Sequence, residues 1–481
     1  MSYQVSQHID NDKTFIVNRS EIEGRLEPEF YRPSIASLEK RIRSLATRKL
    51  RDFALYMAGG ATPKKTEADK YYSDSESGIP FLRVQNLQTN GELSLDYCVY
   101  ISKDTHNGLL QRSQVAEGDL LVKITGVGRM AIASVAPKGF VGNTNQHMVV
   151  IKTGDAAISK YLARYLNLDI IEQIASRHST GGTRPALDYP SLKNLPIIEG
   201  INFSIIDDAI ALKKQKEQQA EDLLNSVDDY LLGELGIKLP EMESQTLQNR
   251  IFVVSRRVLE DRLDPYYSQQ YFRNAFEVLG VCKYPVVNLK EISKLITSGI
   301  TPKSGGDAYT EDKSIGVPFV RSGNISIDGE LNYDDLVYLK PEIHENVMSS
   351  SKLKKDDILI AIVGATIGQV GIYLSEGEAN INQAIALVRL KEGYNAQFVK
   401  ELIKSSIGQL SLNRLKRPVA RANINLEEIS RIKVVLPPEE KQEEIVEHIT
   451  AIRQQAKVLQ EEGKAILEQA KRKVEGMILY G

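Results

Sequence analysis

Residues 60–87 read GATPKKTEADKYYSDSESGIPFLRVQNL, and residues 299–325 read GITPKSGGDAYTEDKSIGVPFVRSGNI. Both stretches keep the frame G-x-T-P … G-[IV]-P-F-[LV]-R-x-x-N, whereas the residues between its fixed positions differ. One frame written twice with different filling indicates a single scaffold that is used in two places. It predicts that the 481-residue chain carries a duplicated domain, because solenoids repeat at a much shorter period of about 20 to 50 residues.

The repeat extends far beyond this frame, at an offset of 237 to 239 residues. The matches keep the same order in both halves of the chain, as two copies of one domain should. The matched pairs include GDLLVKITG (118–126) with DDILIAIVG (356–364), Asn145-Gln146 with Asn382-Gln383, and TRPALDYPSLKNLPI (183–197) with ARANINLEEISRIKV (420–434).

Each copy predicts the same mixture of strands and helices. Short β-branched runs bounded by Gly and Asn predict strands within 119–152 and again within 357–390. A helical pattern follows each set of strands, at 160–175 and at 396–410. The predicted fold class is therefore α+β, with two tandem-duplicated domains that each combine a mixed β-sheet with helices.

Two acidic segments break this pattern and predict long helices that separate and follow the two domains. Their apolar residues alternate at spacings near four and three, which is the seam of a coiled coil. We expect the helices to pair as an antiparallel coiled coil, the alternative being that each covers its own domain. The predicted seam contains Ile206, Ile210, Ala220, Leu224, Val227 and Leu231 in the first helix, and Ile445, Ile449, Ile452, Ala456, Leu459, Ile466, Ala470 and Met477 in the second.

The repeats and the acidic segments together predict four parts of the chain. The boundaries follow the ends of the repeats and the composition shift at each acidic segment. The parts are a first α+β domain (1–200), a central helix (201–245), a second α+β domain (246–437) and a C-terminal helix (438–481).

The composition is that of an ordinary globular protein, with 42% apolar and 26% charged residues. We expect no transmembrane helix, because no run of about 18 apolar residues occurs. The N-terminus lacks the basic-then-apolar layout of a signal peptide, and Cys98 and Cys282 form no metal-type spacing. These features predict a cytoplasmic protein with reduced thiols.

No motif of an enzyme emerges from the sequence. The stretch ITGVGRMA (124–131) resembles a dinucleotide fingerprint only superficially, because a strand pattern follows it where a helix is required. DPYY (264–267) resembles the D-P-P-Y loop of amino-methyltransferases in part, yet its duplicate reads EPEF (27–30). The six histidines are isolated, so no H-x-x-x-H metal site is evident. We therefore expect a protein that is not an enzyme.

Polar and basic residues in loops are the candidates for binding, and they suit DNA. An Arg and an Asn at the end of a strand can read guanine and adenine edges, and clustered basic residues can clamp phosphates. The alternatives are that the Arg pairs with a carboxylate, that the Asn caps a turn and that the clusters are solvated loops. The candidate DNA-binding residues are Arg83, Asn86, Lys123, Arg129, Arg177, Arg184, Arg321, Asn324, Arg414, Lys416, Arg417 and Arg421.

The order of these features resembles a type I restriction–modification specificity (S) subunit over nearly the whole chain. The repeated frame, the Asn-Gln pair and the long helix after a proline-bearing strand carry the resemblance, all in duplicate. It implies that each α+β domain is a target recognition domain for one half of a bipartite, asymmetric site in double-stranded DNA. The paired helices would set the spacer and dock two methyltransferase (M) subunits, which restriction/translocase (R) subunits join. The resemblance implies no cofactor on this chain, because S-adenosylmethionine and ATP with Mg²⁺ belong to the partner subunits.

Two other functions share these sequence features. A specificity module of a related system, whose partner is a fused nuclease–methyltransferase, would have the same pattern. A scaffold of two sheet domains on a coiled coil, without DNA binding, would have the same fold.

Overall fold

The computed structural model describes residues 10, 12–241, 251–255, 263–303, 306–416 and 423–481. The chain divides into two compact units, and both dividing points fall inside long helices. The first unit contains residues 1–218 and 459–481, and the second unit contains residues 219–458.

The strands of the first unit lie between residues 48 and 197. They are β1 (Arg48–Lys49), β2 (Tyr56–Gly59), β3 (Tyr72–Ser73), β4 (Ile79–Leu82), β5 (Val99–Ile101), β6 (Gln114–Ala116), β7 (Leu120–Lys123), β8 (Ala133–Val135), β9 (Val141–Thr144), β10 (Met148–Lys152) and β11 (Pro196–Ile197). The strands of the second unit are β12 (Val286–Asn288), β13 (Ser293–Ser298), β14 (Tyr309–Thr310), β15 (Val317–Val320), β16 (Val337–Leu339), β17 (Asp357–Ala361), β18 (Val370–Tyr373), β19 (Asn380–Ile381), β20 (Ile385–Leu390) and β21 (Lys433–Val435).

The α-helices range from one turn to more than ten turns. They are α1 (Pro33–Leu45), α2 (Ala68–Tyr71), α3 (Lys103–Asn107), α4 (Ala156–Leu166), α5 (Asp169–Arg177), α6 (Tyr189–Lys193), α7 (Ser204–Leu235), α8 (Gln270–Glu277), α9 (Leu289–Ile292), α10 (Pro341–Glu345), α11 (Ala396–Lys404), α12 (Ser406–Leu415), α13 (Leu426–Ser430) and α14 (Glu439–Tyr480). Within the described parts of the chain, no helix combines the length and the apolar character needed to cross a membrane.

Two sheets form the body of the first unit. One is antiparallel, in the order β2-β10-β7-β8, and the other has the order β3-β5-β4-β9-β6. The second of these sheets is mixed, because β4 and β9 run parallel, with Phe81 opposite Asn143. Strands β1 and β11 pair separately as a short antiparallel ribbon.

The second unit repeats this topology. Its antiparallel sheet has the order β13-β20-β17-β18, and its mixed sheet has the order β14-β16-β15-β19. Here β15 and β19 run parallel, with Phe319 opposite Asn380. The counterpart of β6 is reduced to a single bridge between Lys352 and Asn380. The predicted tandem α+β fold with mixed sheets is confirmed.

The helical stretch predicted after each set of strands is two helices in the structure. In the first unit, the predicted helix at 160–175 is divided at Asn167 between α4 and α5. The buried side chain of Asn167 accepts a hydrogen bond from the Ala133 amide at 3.1 Å and donates one to the Ala133 carbonyl at 2.7 Å. This contact ties the break to β8, a strand more than 30 residues earlier, so the local pattern could not show it. The equivalent break in the second unit lies at Ser405, between α11 and α12.

Helices α7 and α14 pack antiparallel inside the first unit. Ile206 near the start of α7 shares a core cluster with Val474 near the end of α14. Further along, Lys216 of α7 forms an ion pair with Glu462 of α14 at 2.7 Å. Residue numbers therefore rise along one helix as they fall along the other.

The same pair of helices packs inside the second unit. The ring of Tyr230 lies 4.1 Å from that of His448, and Lys441 pairs with Glu234 at 2.7 Å. Each unit thus contains part of both helices, and the alternative that each helix covers only its own repeat is wrong. Two predicted seam residues, Leu224 and Met477, are exposed; a straight helix drifts away from a strict 3.5-residue repeat, which moves such positions out of the seam.

Each long helix also caps a short helix. In the first unit, the Glu475 carboxylate of α14 accepts hydrogen bonds from the Asp169 and Ile170 amides at the start of α5. In the second unit, the Asp228 carboxylate of α7 accepts a hydrogen bond from the Ser406 amide at the start of α12, at 2.7 Å. A carboxylate is favoured there because the first amides of a helix are otherwise unpaired and carry a partial positive charge.

The glycines that open the repeated frame make a close backbone crossing. A Cβ on Gly60 would overlap the Thr144 carbonyl at the end of β9. A Cβ on Gly299 would overlap the Ile381 carbonyl at the end of β19 in the same way. Only glycine permits this approach of one backbone to another.

The remaining frame residues also have structural roles. The hydroxyls of Tyr72 and Tyr309 donate to the carbonyls of Pro63 and Pro302, each at 3.0 Å, which anchors the T-P positions. The later glycine of the frame packs against an aromatic residue of the neighbouring strand, and a Cβ there would lie 2.7 Å from the Cβ of that residue. The pairs are Gly78 with Tyr100, and Gly316 with Tyr338.

Replacing Gly60 by Ala should destabilise the first unit, because the new methyl group overlaps backbone atoms that can move only if β9 moves. We expect the free energy of unfolding to fall by at least about 1–3 kcal/mol, the usual cost of overpacking an interior. Gly182→Ala is the control, since a Cβ at Gly182 meets nothing within 4 Å. Chemical denaturation measures both variants, and equal stabilities would contradict a structural role for the crossing.

Candidate nucleic-acid interface

Four loops of the first unit meet where β2, β7 and β9 end. The Ile124 amide donates to the His147 carbonyl at 2.9 Å, and the Leu187 amide donates to the Ile124 carbonyl at 2.8 Å. The Gly126 amide donates to the Pro185 carbonyl at 3.0 Å. We call this surface the first edge, and it consists of residues 60–65, 124–128, 145–147 and 180–187.

The second unit builds the equivalent surface with equivalent hydrogen bonds. The Ile362 amide donates to the Ala384 carbonyl at 2.8 Å, and the Ile424 amide donates to the Ile362 carbonyl at 3.0 Å. Residues 363 and 423 form a bridge beside them. We call this surface the second edge, and it consists of residues 299–303, 362–368, 382–384 and 423–424.

Both edges contain exposed cations, and neither contains an Asp or a Glu. Lys64, Lys65 and Arg184 are exposed on the first edge, and Lys303 is exposed on the second. The apolar Val127 is 77% exposed at the tip of its glycine-rich loop. A surface with cations and no carboxylates favours an anionic ligand such as a phosphate backbone.

The Asn-Gln pair that recurs in the sequence lies on both edges. Asn145 and Asn382 form the turn: their side chains accept hydrogen bonds from the amides two residues later, at 3.1 and 3.2 Å. Gln146 and Gln383 point outward and are exposed. The Gln146 side chain also accepts a hydrogen bond from the Thr62 hydroxyl, within the first edge.

Asn86 and Asn324, which the sequence predicts to read bases, are buried. Asn86 is 0% exposed; it accepts a hydrogen bond from the Arg83 amide at 2.8 Å and donates one to the Ser94 carbonyl at 2.9 Å. Asn324 accepts from the Arg321 amide at 2.9 Å in the same way. Both amides are buried and hold a turn.

The arginines of the same motif turn back onto the protein. The Arg83 guanidinium donates to the Tyr97 carbonyl at 3.3 Å. The Arg321 guanidinium donates to the Asp335 carbonyl at 3.0 Å and pairs with the Asp335 carboxylate at 3.4 Å. In both units the R-x-x-N motif therefore closes a loop, as the alternative interpretation of the sequence proposed.

Lys123 and Arg129 also have structural partners. The Lys123 ammonium is buried and donates to the Val127 carbonyl at 2.8 Å, and this burial lowers the pKa of Lys123. Arg129 forms an ion pair with Asp169 and donates to the Asn167 carbonyl at 2.7 Å. These contacts hold the 124–128 loop against the rest of the first unit.

Arg177 belongs to a buried charge cluster around Glu39. Its guanidinium pairs with the Glu39 carboxylate, donates to the Phe30 carbonyl at 2.6 Å and lies 4.3 Å from the centre of the Phe30 ring. His178 and Arg43 contact the same carboxylate, at 2.8 and 2.6 Å. Burial alone would raise the pKa of Glu39, but the hydrogen bonds and charges of these neighbours lower it to about 2.

Arg414 is the counterpart of Arg177 in the second unit. Its guanidinium donates to the Tyr267 carbonyl at 3.0 Å and lies 3.9 Å from the centre of the Tyr267 ring. Lys416 donates to the Asn413 side chain at 2.6 Å, and burial lowers the pKa of Lys416. Both residues are partly exposed.

Among the predicted residues that the structure describes, Arg184 is the one that lies exposed on an edge. Arg417 and Arg421 lie outside the described residues. Gln146 and Gln383 are not among the residues predicted from the sequence, although the recurrence of the Asn-Gln pair is a signal that points to them.

The sequence model of the family described as the type I restriction modification DNA specificity domain matches residues 44–222 and 283–469, more than half of the chain. The chain belongs to this family. Each of the two matched ranges contains one edge of the protein and part of one long helix.

Individual proteins of known name or structure share limited sequence identity with this chain. The EcoBI type I restriction enzyme specificity subunit of Escherichia coli is 33% identical over 142 residues, which are 29% of this chain and 29% of that protein. The match thus spans less than a third of the relative's own length. The HsdS subunit from Thermoanaerobacter tengcongensis has 14% identity, a TM-score of 0.35 and coverage of 92% of this chain and 96% of its own. A structure described by complex assembly and conformational transition of the type I R-M system has 13% identity, a TM-score of 0.45 and coverage of 88% and 96%.

Replacing Glu39 by Gln should destabilise the first unit by about 3–5 kcal/mol, because Arg177 and Arg43 lose their buried partner.

The pH dependence of the stability should also change. The pKa of Glu39 is lowered from 4.5 to about 2 on folding, so its contribution is present above pH 4.5 and is lost as the pH falls towards 2. Urea unfolding at several pH values should show a shallower loss of stability in this range for Glu39→Gln than for the unaltered chain. Glu29→Gln, which removes an exposed partner of Arg32, is the control; an acid response of Glu39→Gln equal to that of the control would contradict the buried cluster.

Proposed function

We propose that the chain is the non-catalytic specificity subunit of a type I restriction–modification enzyme, in which each repeat reads one half of a bipartite, asymmetric DNA site. The observation that carries this proposal is the pair of edges. One scaffold is built twice with the same hydrogen bonds, and it presents two surfaces that are free of acidic residues but differ in their exposed side chains. Membership of a DNA specificity family supports the same function.

On each edge, exposed cations would contact phosphate and exposed amides would contact bases. A Gln side chain can pair with the N6 and N7 positions of adenine through two hydrogen bonds, which suits Gln146 and Gln383. Arg184, Lys64 and Lys303 suit phosphate contacts, which position the protein without reading sequence. Arg417 and Arg421 stay predicted phosphate contacts of the second repeat.

The half-sites follow the repeats, with residues 1–200 reading one and residues 246–437 reading the other. The helical segments, 201–245 and 438–481, would set the length of the unread spacer between them. Their antiparallel packing in both units supports this role, because a helix of fixed rise per residue makes a stiff element.

The exposed faces of α7 and α14 would dock two methyltransferase (M) subunits, and restriction/translocase (R) subunits would join that core. S-adenosylmethionine would be held by the M subunits, and ATP with Mg²⁺ by the R subunits. The assembly would act on DNA in the cytoplasm, where the two cysteines stay reduced.

Arg184→Ala should weaken DNA binding by the assembled enzyme without destabilising the fold, because this side chain is exposed on the first edge. Loss of one phosphate contact should lower the slope of log K against log salt by about 0.9. The measurement is a fluorescence titration of labelled duplex at several salt concentrations.

Lys138→Ala is the matched control, because Lys138 is exposed in the turn before β9, at the opposite end of that strand from the first edge. Its slope should equal that of the unaltered enzyme. An unchanged slope for Arg184→Ala, or an equal drop for Lys138→Ala, would contradict the assignment of the first edge. The absence of duplex binding at every salt concentration would favour a scaffold that does not bind DNA.

A further inference from the structure

His344, in α10 of the second unit, is held in one tautomer. Its side chain is 1% exposed, and its Nδ1 contacts the Asn380 side-chain oxygen. The orientation of Asn380 is fixed, because its Nδ2 donates to the Met348 carbonyl at 2.8 Å and to the Ser351 hydroxyl at 3.3 Å. Nδ1 must therefore carry a proton and donate it to Asn380, so that in the neutral ring the lone pair for a ligand is on Nε2.

Two carboxylates face this nitrogen. Glu378 Oε2 lies 3.0 Å from His344 Nε2, and Glu345 Oε1 lies 3.6 Å from it. The other oxygen of Glu345 accepts a hydrogen bond from the Lys352 ammonium at 2.6 Å. The repulsion between a nitrogen lone pair and two carboxylates is offset by a positive charge between them, which either a proton or a metal ion supplies.

The spacing of the three groups matches a metal site. In a tetrahedral zinc site with metal–ligand distances near 2.1 Å, neighbouring ligand atoms lie about 3.4 Å apart. The two distances from Nε2, 3.0 and 3.6 Å, lie on either side of this value. All three ligand atoms lie within 4.8 Å of one another. The hydrogen bond from Nδ1 to Asn380 is the outer contact by which proteins usually orient a metal-binding histidine.

The first unit contains the histidine without the carboxylates. His106 contacts Asn143 through Nδ1, and Asn143 donates to the Leu110 carbonyl at 2.8 Å, so the histidine has the same tautomer. In the sequence repeat, however, the positions of Glu345 and Glu378 are occupied by Asn107 and Val141. The histidine–asparagine pair therefore belongs to the scaffold, whereas the two glutamates are an addition of the second repeat.

We propose that His344, Glu345 and Glu378 form a binding site for one divalent transition-metal ion, zinc being the ion that best fits this ligand set. Three protein ligands leave the fourth position of a tetrahedral ion to water. The ion joins α10 to the loop that precedes β19, and β19 leads directly to the Asn382-Gln383 turn of the second edge. Zinc therefore braces the second recognition surface, and the first unit has no equivalent brace at His106. This inference holds whether or not the chain reads DNA.

The test is a zinc titration of the full-length chain after treatment with EDTA, followed by calorimetry and by metal analysis of the dialysed protein. The unaltered chain should bind one ion. The double variant Glu345→Gln/Glu378→Gln should bind at least about 100-fold more weakly, because even loss of an outer contact of a metal ligand costs about 10- to 100-fold. Both glutamates are more than half exposed, so these changes leave the core intact.

Glu376→Gln is the matched control, since Glu376 is an exposed glutamate two residues from Glu378 that pairs with Lys355. It should bind one ion with unchanged affinity. A second variant tests the role of the scaffold: Asn107→Glu/Val141→Glu should create a second site around His106 and raise the count to two ions. No zinc bound by the unaltered chain, equal affinity of the Glu345→Gln/Glu378→Gln variant, or a count that stays at one in the Asn107→Glu/Val141→Glu variant would overturn the proposal.

Discussion

The backbone crosses the end of a strand at two places where no side chain fits, at Gly60 over Thr144 and at Gly299 over Ile381. Each crossing brings the loop that follows the glycine next to the Asn-Gln turn. In the first unit, a hydrogen bond from the Ile124 amide to the His147 carbonyl joins this turn to the glycine-rich loop. In the second unit, the hydrogen bond from the Ile362 amide to the Ala384 carbonyl does the same. The rest of the repeated frame stabilises the same arrangement, through the tyrosine hydroxyls and the buried asparagines.

This constraint explains why the frame recurs while its filling changes. Residues that pack backbone against backbone, or that satisfy buried polar groups, have few replacements. Exposed loop residues are free to differ, and they are the ones that a ligand touches. The second unit adds one more difference, the two glutamates around His344, on a histidine–asparagine pair that both units share.

The duplication, the fold class and the long helices could be predicted from the sequence, because periodicity and internal repetition are local or directly comparable signals. The roles of single polar residues could not. The local sequence around Arg177 predicts a phosphate contact. In the structure its partner is Glu39, which lies 138 residues earlier in the chain. Asn86 has the hydrogen-bonding groups to read a base. Only the structure shows that its side-chain oxygen accepts from the Arg83 amide and that its side-chain nitrogen donates to the Ser94 carbonyl. Burial decides these roles, and burial depends on contacts that no local pattern contains.

We infer that the frame holds the scaffold and that the variable residues of each edge read DNA. Methylated adenines can be mapped in cells that express the assembled enzyme with the variable residues of the first repeat replaced by those of the second. The half-site of the first repeat should change to the sequence of the second half-site, while the spacer should keep its length because α7 and α14 are unaltered. A map in which the first half-site is unchanged, although the enzyme still methylates DNA, would contradict it. The exchanged segments are 61–77 for 300–315, 124–131 for 362–369, and 176–186 for 413–423.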